Sequence, residues 1–118
     1  MTAEESKAFI QRFYAEVWHR AGTPPLDAFI ADHLSVYKQS ITVMRATFRN
    51  LTWTLETLIA EGDEIAERWR MQGTHKLTGT RVAGTGASFF RLADGKIVEH
   101  WAYSDPDLQR QMDSLPQE

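Results

Sequence analysis

The 118-residue chain contains no cysteine. That excludes a disulfide framework, a thiolate nucleophile and a cysteine-ligated zinc site. Histidine is sparse: His19, His33, His75 and His100 show neither HxH nor HxxxH spacing, so no metal centre is expected. Positive charge is also short, with 13 basic against 16 acidic residues, a net charge of −3 and a pI near 5.8. A nucleic-acid partner would need a basic stripe to displace phosphate counterions, and none is present. No apolar run approaches the roughly 18 residues of a membrane span, and the acidic start MTAEESK is unlike a secretory leader. A cytoplasmic protein without a membrane partner is expected, and the triplet Asn50-Leu51-Thr52 is read as a chance match to a glycosylation acceptor. What the chain does hold is 42% apolar residues, 11% aromatics and four tryptophans, enough for one folded domain over residues 1–118.

Helical signals come first. Thr2 and Glu5 form a capping box, and Phe9, Ile10, Phe13, Tyr14, Val17 and Trp18 recur at helical spacing, predicting a helix from about Ala3 to Arg20. Thr23-Pro24-Pro25 breaks it and starts a short helix through Leu26, Phe29 and Ile30. A third helix is expected from about Ser40 to Arg49, with His33 to Gln39 ambiguous.

From Leu51 the period becomes two. Leu51, Trp53, Leu55, Thr57 and Ile59 alternate with Thr52, Thr54, Glu56 and Leu58 in a strand half buried on each face, Glu61-Gly62-Asp63 reverses the chain, and Ile65, Glu67, Trp69 and Met71 alternate with Ala66, Arg68, Arg70 and Gln72. A third strand covers about Thr80 to Leu92, Asp94-Gly95 turns the chain again, and a fourth runs from Lys96 to about Tyr103. A short helical tail with Leu108 and Met112 follows. Helices and then an antiparallel meander give the α+β class. Gly84 and Gly86 are read as a bend or bulge that curls the sheet into a cone, with the first helix closing its mouth.

Several landmarks stand together: Glu61-Gly62-Asp63 with Ile65-Ala66, Arg68-Trp69, Gly73-Thr74-His75, Thr78-Gly79-Thr80, Phe90-Arg91, Asp94 through Trp101, and Asp105. With them the chain resembles the SnoaL-like polyketide cyclases of the NTF2-like superfamily, an α+β cone of helices packed into a strongly curved antiparallel sheet. The resemblance covers Leu51 to Gln111, with the helical half matching by pattern. It departs where His33 to Asn50 is shorter than in the family and where the loop after His75 is trimmed, both of which predict a shallower cone.

The resemblance implies that Asp105 is the general acid/base. Trp101 and Tyr103 on the same side of the strand would raise its pKa. The competing reading makes Asp105 a strand-ending turn or the N-cap of the tail helix. His75 is a candidate proton relay or a structural histidine at a strand end, placed by simple alternation on the Trp69 face unless a bulge at Gly73 changes the register. His100 is read as a surface or subunit-contact residue. Tyr14 and Trp18, one turn apart, would cover the cone, Tyr14 donating to a carbonyl oxygen that becomes negative. Among Arg68, Arg70 and Arg91 an inward side chain would hold an anionic group or position Asp105; the other reading is a cross-strand ladder pairing Arg68 or Arg70 with glutamates such as Glu56 or Glu99. Trp53, Phe90, Trp101 and Tyr103 are pocket wall or packing.

Gly84-Thr85-Gly86 is not a dinucleotide fingerprint and Ser88 has no nucleophile-elbow context, so no cofactor is expected. Two functional readings remain. One is a cofactor-independent acid/base enzyme, an aldol-type cyclase, isomerase or dehydratase acting on a small, largely apolar carbonyl compound. An epoxide hydrolase is disfavoured within it, because Arg70 and Tyr103 stand where that relative's pattern wants acids. The other is a small-ligand-binding or dimerisation module without turnover. In either, apolar residues on both faces of the Ile65–Met71 strand suggest a homodimer through Trp69 and Met71.

Overall fold

A computed structural model describes residues 1–116. Helix α1 (Ala3–Phe13) begins at the expected capping box: the Thr2 hydroxyl accepts from Glu5 N–H while the Glu5 carboxylate accepts from Thr2 N–H. The continuation to His19 is π-helical (Tyr14–His19), a geometry often found at functional sites, and it buries Tyr14, Val17 and Trp18. Arg45 closes its carboxyl end by donating to the carbonyls of Val17 (2.6 Å), Arg20 (2.8 Å) and Gly22 (3.1 Å). Helix α2 spans Leu26–Phe29, and α3 spans Ser35–Thr47, so the ambiguous stretch starts a helix. After α2 a single parallel bridge, Ile30 to Ile97, ties the helical half to the sheet.

The sheet is an antiparallel meander in sequence order, β1 (Phe48–Glu61), β2 (Glu64–His75), β3 (Arg81–Ala93) and β4 (Lys96–Ser104). The β3–β4 hairpin turns on Asp94 and Gly95, both at positive φ (53° and 75°), the requirement of the two-residue turn that matches strand twist. Helix α4 (Pro106–Asp113) packs back on β3.

The curl arises elsewhere than expected. β2 and β3 pair without a shift across Gly84 and Gly86; the shifts fall in β1, between Arg49 and Thr52 and between Leu55 and Thr57, and opposite Arg91 in β4. The two glycines serve close approach instead. A Cβ at Gly86 would lie 2.3 Å from the Trp69 ring, and one at Gly84 would lie 2.6 Å from the Leu108 Cβ. Gly86 is the floor under an indole and Gly84 the seat of α4.

Bulges also set which side chains face in. In β4 Ile97 pairs with Leu92 while Glu99 pairs with Arg91, so Val98 is the extra residue; Ile97 and His100 both face inward and Trp101 faces out. In β1 the extra residue is Glu56, after which Leu58 and Ala60 face in and Ile59 is 60% exposed. The inner face therefore carries the cross-strand row Leu58, Glu67, Ser88 and Ala102. Helices α1 and α3 and the π segment cover it through a core that includes Phe13, Val17, Ile41 and Phe90. Trp69 and Met71, 3% and 1% exposed, lie in the interior, which corrects their assignment to an outer interface. No helix among the described residues is long and apolar enough to cross a membrane.

Candidate functional site

Where the π segment and α3 face the middle of the sheet, the interior opens into a cavity of about 150 Å³. Tyr14 and Trp18 from the π segment and Trp53 and Trp69 from β1 and β2 form its aromatic wall. The ring centroids of Trp18 and Trp53 are 4.9 Å apart, and those of Trp53 and Trp69 4.8 Å. The His19 ring fixes Trp53 from behind, its Nε2 accepting from the Trp53 backbone N–H at 3.0 Å. Tyr37, Ser40 and Met44 contribute one face of α3, while Ser88, His100 and Ala102 contribute the sheet.

Directly behind that wall is a carboxylate. Glu67 is 4% exposed, and the Tyr14 hydroxyl donates to its Oε2. Ser88 accepts from Trp69 Nε1 at 2.8 Å and also favours the charged form of Glu67, yet Glu67 Oε1 has no hydrogen-bond partner among the described residues. Burial outweighs both hydroxyls and pushes the Glu67 carboxyl up to about 7. It is therefore poised to gain or lose a proton near neutral pH. Burial, reinforced by the Glu67 charge, raises the Tyr14 and Tyr37 phenols well above their usual range, so both stay neutral. The Trp53 indole Nε1–H is likewise buried with no partner among the described residues, on a ring that lines the cavity.

His100 faces this cavity rather than solvent, correcting its reading as a surface residue. It stacks on Tyr37 (3.8 Å between centroids, 12° between planes), and burial pushes its pKa down to about 4, which keeps it neutral.

Of the side chains singled out in the sequence, Tyr14, Trp18 and Trp53 converge here. Phe90 is one layer deeper, wholly buried and edge-on to Phe13. Asp105 is not among the lining residues: it is the N-cap of α4, accepting from Asp107 N–H (2.8 Å) and Leu108 N–H (3.2 Å), with Thr85 Oγ1 at 3.2 Å. The Leu108 and Asp107 amides hold its carboxyl below the usual range, opposite to the expected shift. Trp101 and Tyr103, 56% and 70% exposed, lie on the outer face and give it no apolar shield. Arg68 and Arg70 also point outward and share Glu56 (3.8 and 3.5 Å), while Arg91 pairs with Glu99 at 2.6 Å, the cross-strand ladder. His75 is on the Trp69 face as alternation requires, but at the far end of β2, lining a different hollow. Among the described residues, no three His, Asp or Glu side chains are grouped to hold a metal ion.

Glu67 is the one buried carboxylate of the sheet interior among the described residues, and it is not among the candidates that the sequence offers. Its signal was present: Ile65, Glu67, Trp69 and Met71 share one face, and a carboxylate in an apolar register is buried at a cost that calls for explanation.

Residues 8–112 match the model of the SnoaL-like polyketide cyclase family. Among solved structures, AclR from Streptomyces galilaeus is 23% identical, with 98% of this chain and 100% of that one covered at a TM-score of 0.74. A SnoaL-like polyketide cyclase from Agrobacterium tumefaciens is 20% identical, covering 95% and 98% at 0.70. An NTF2-like protein from Burkholderia thailandensis is 17% identical, covering 98% and 100% at 0.72. At these identities the likeness establishes the fold, an NTF2-like α+β cone. No curated protein matches the chain.

Proposed function

As this chain belongs to the SnoaL-like polyketide cyclase family, we propose that it is a cofactor-independent acid/base enzyme acting on a small, largely apolar carbonyl compound, with Tyr14 and Glu67 moving the proton. The observation that carries this reading is a buried carboxyl pushed up to about 7 and hydrogen-bonded to a cavity-lining phenol. The substrate's α-carbon proton passes to the Tyr14 oxygen as the phenolic proton passes to Glu67. The electron pair left on carbon delocalises to the carbonyl oxygen, which takes a hydrogen bond from Trp53 Nε1–H. In an aldol-type cyclisation the enolate carbon then attacks a second carbonyl, and the resulting alkoxide takes back the proton. Isomerisation and dehydration use the same return.

A test needs no native substrate. Deuterium exchange at C1 of 2-tetralone, followed by proton NMR, is expected to be faster with the wild-type protein and at background with Glu67→Gln. Equal rates for the two proteins would defeat the reading. A binding module without turnover is favoured by one observation, that Glu67 meets the cavity only through Tyr14 and Ser88. Tetralone binding with background exchange would select it.

The outer sheet face supports a homodimer, now through different residues. Ile59, Ala66, Phe89 and Trp101 form one cross-strand row, with Ala87 and Tyr103 beside it and the ion pairs Arg70–Glu56 and Arg91–Glu99 around it. Such an apolar band is self-complementary about a two-fold axis. A cytoplasmic setting is proposed on the lack of cysteine.

A further inference from the structure

We propose that the cleft beside His75 is a second substrate-binding subsite, continuous with the aromatic cavity across the Met44 side chain, which takes the far end of an elongated, largely apolar molecule bearing an oxygen acceptor. The inference rests on the functional reading only in treating the aromatic cavity as a ligand site.

The cleft measures about 270 Å³, and its wall is mostly apolar, with Met44, Phe48, Met112 and Leu115 around the His75 ring. Met44 lines both this cleft and the cavity of Tyr14 and Trp53, and it also borders the open groove of Val36, Gln39, Ser40 and Val43 on α3, so its side chain is the shared border of the two hollows. Met44 is half-buried on α3 and packs against both hydrophobic clusters of the domain. A thioether with three rotatable bonds is the side chain best able to move aside without a rigid clash. Both hollows also follow the same inner face of β2, which carries Glu67 and Trp69 at one end and His75 at the other.

His75 gives the cleft its chemistry. The residue is 1% exposed, and its Nδ1 accepts from the backbone N–H groups of Leu77 (3.3 Å) and Thr78 (3.2 Å). The ring proton is therefore on Nε2, which makes no hydrogen bond to the described residues. The backbone holds the ring in place, His75 N–H donating to Thr80 O at 2.8 Å and Gly79 N–H donating to His75 O at 2.9 Å. The result is a fixed donor at the end of an apolar slot, complementary to an ether, hydroxyl or carbonyl oxygen on a flat hydrocarbon body. A molecule long enough to displace Met44 would place its reacting carbonyl at Trp53 and its distal oxygen at His75.

The experiment uses chromone as a short probe and 4′-methoxyflavone as a long one, read by methyl NMR of the labelled methionines and by tryptophan fluorescence. Chromone is expected to shift Met44 and leave Met112 unmoved. The flavone is expected to shift both, to move the His75 Nε2 resonance, and to bind at least about 10-fold more tightly. Met44→Phe, which puts a rigid ring in the partition, is expected to remove the flavone's advantage over chromone, read as the ratio of the two affinities measured on the variant itself. A silent Met112, or an advantage that survives Met44→Phe, would overturn the proposal. Flavone shifting Met112 alone would leave two unconnected hollows and overturn it as well. Chromone that disturbs neither Met44 nor tryptophan fluorescence would instead remove the aromatic cavity as a ligand site, and the functional reading with it.

Discussion

The Tyr14 hydroxyl donates to the Glu67 carboxylate across 53 residues of sequence, joining the π segment to the inner face of β2. Around that bond a buried acid keeps the option of either charge state, because burial raises its pKa while the two hydroxyls lower it. The pair is therefore the place where perturbation has the largest expected effect.

Glu67→Gln keeps the shape and removes the titration. Turnover on any accepted carbonyl compound is expected to fall by roughly 100-fold or more with ligand affinity retained. Stability should move as well. The folded carboxyl sits at about 7 against 4.5 in the open chain, so the Glu67 contribution to stability is complete below pH 4.5 and is lost as pH rises through 7. The variant lacks that loss, which amounts to up to about 3 kcal/mol for a shift of this size. Urea unfolding at pH 5 and pH 8 measures it, and an unchanged pH slope would contradict the burial argument.

Tyr14→Phe removes the donor that most lowers the Glu67 pKa, leaving burial less opposed. The carboxyl resonance of Glu67 is expected to titrate above 7 in the variant. A midpoint that stays put would mean the hydroxyl does not hold the carboxylate in solution.

His100 carries the opposite slope. Its folded pKa of about 4 lies under the open-chain 6.5, so its contribution is intact above pH 6.5 and is lost as pH falls through 4. His100→Phe, which keeps a ring against Tyr37, should flatten the acid side of the stability profile in thermal melts between pH 4 and 7. A profile identical to wild type would show the imidazole to be solvated.

Asp105 separates a cap from a catalyst. Asparagine caps a helix as well as aspartate, so Asp105→Asn is expected to leave both turnover and melting temperature near wild type, whereas Asp105→Ala lowers the melting temperature by a few degrees without touching turnover. Lost turnover in the asparagine variant would return the acid/base role to this residue.

Trp101→Glu places a charge at the β4 end of the outer apolar row. Sedimentation is expected to show monomer for the variant and dimer for wild type. A dimer that persists with glutamate there would put the interface elsewhere.

Much of the fold was legible because local chemistry and tertiary structure agree. The Thr2–Glu5 box, the Pro24-Pro25 break and the Asp94-Gly95 turn each mark an element end where the structure has one. The site was legible in its helical part, where Tyr14 and Trp18 lie on the apolar stripe of the first helix. It was hidden in the strands. One extra residue, Val98, reverses the alternation of β4, sending Trp101 and Tyr103 outward and bringing His100 in. Nothing in Lys96–Ser104 marks that bulge, since each residue there tolerates either register. The cue at Glu67 was available but overshadowed by its apolar neighbours Ile65, Trp69 and Met71.

The contact between Gly86 and the Trp69 ring constrains how this site could diversify. A side chain at Gly86 would drive the indole toward the hollow it borders, so the Trp69 part of the sheet wall is held at its present position. Descendants with a taste for bulkier or slimmer compounds would have to be sculpted from the opposite wall, at Ser40 and Met44, where a helix facing partly onto solvent can accept change.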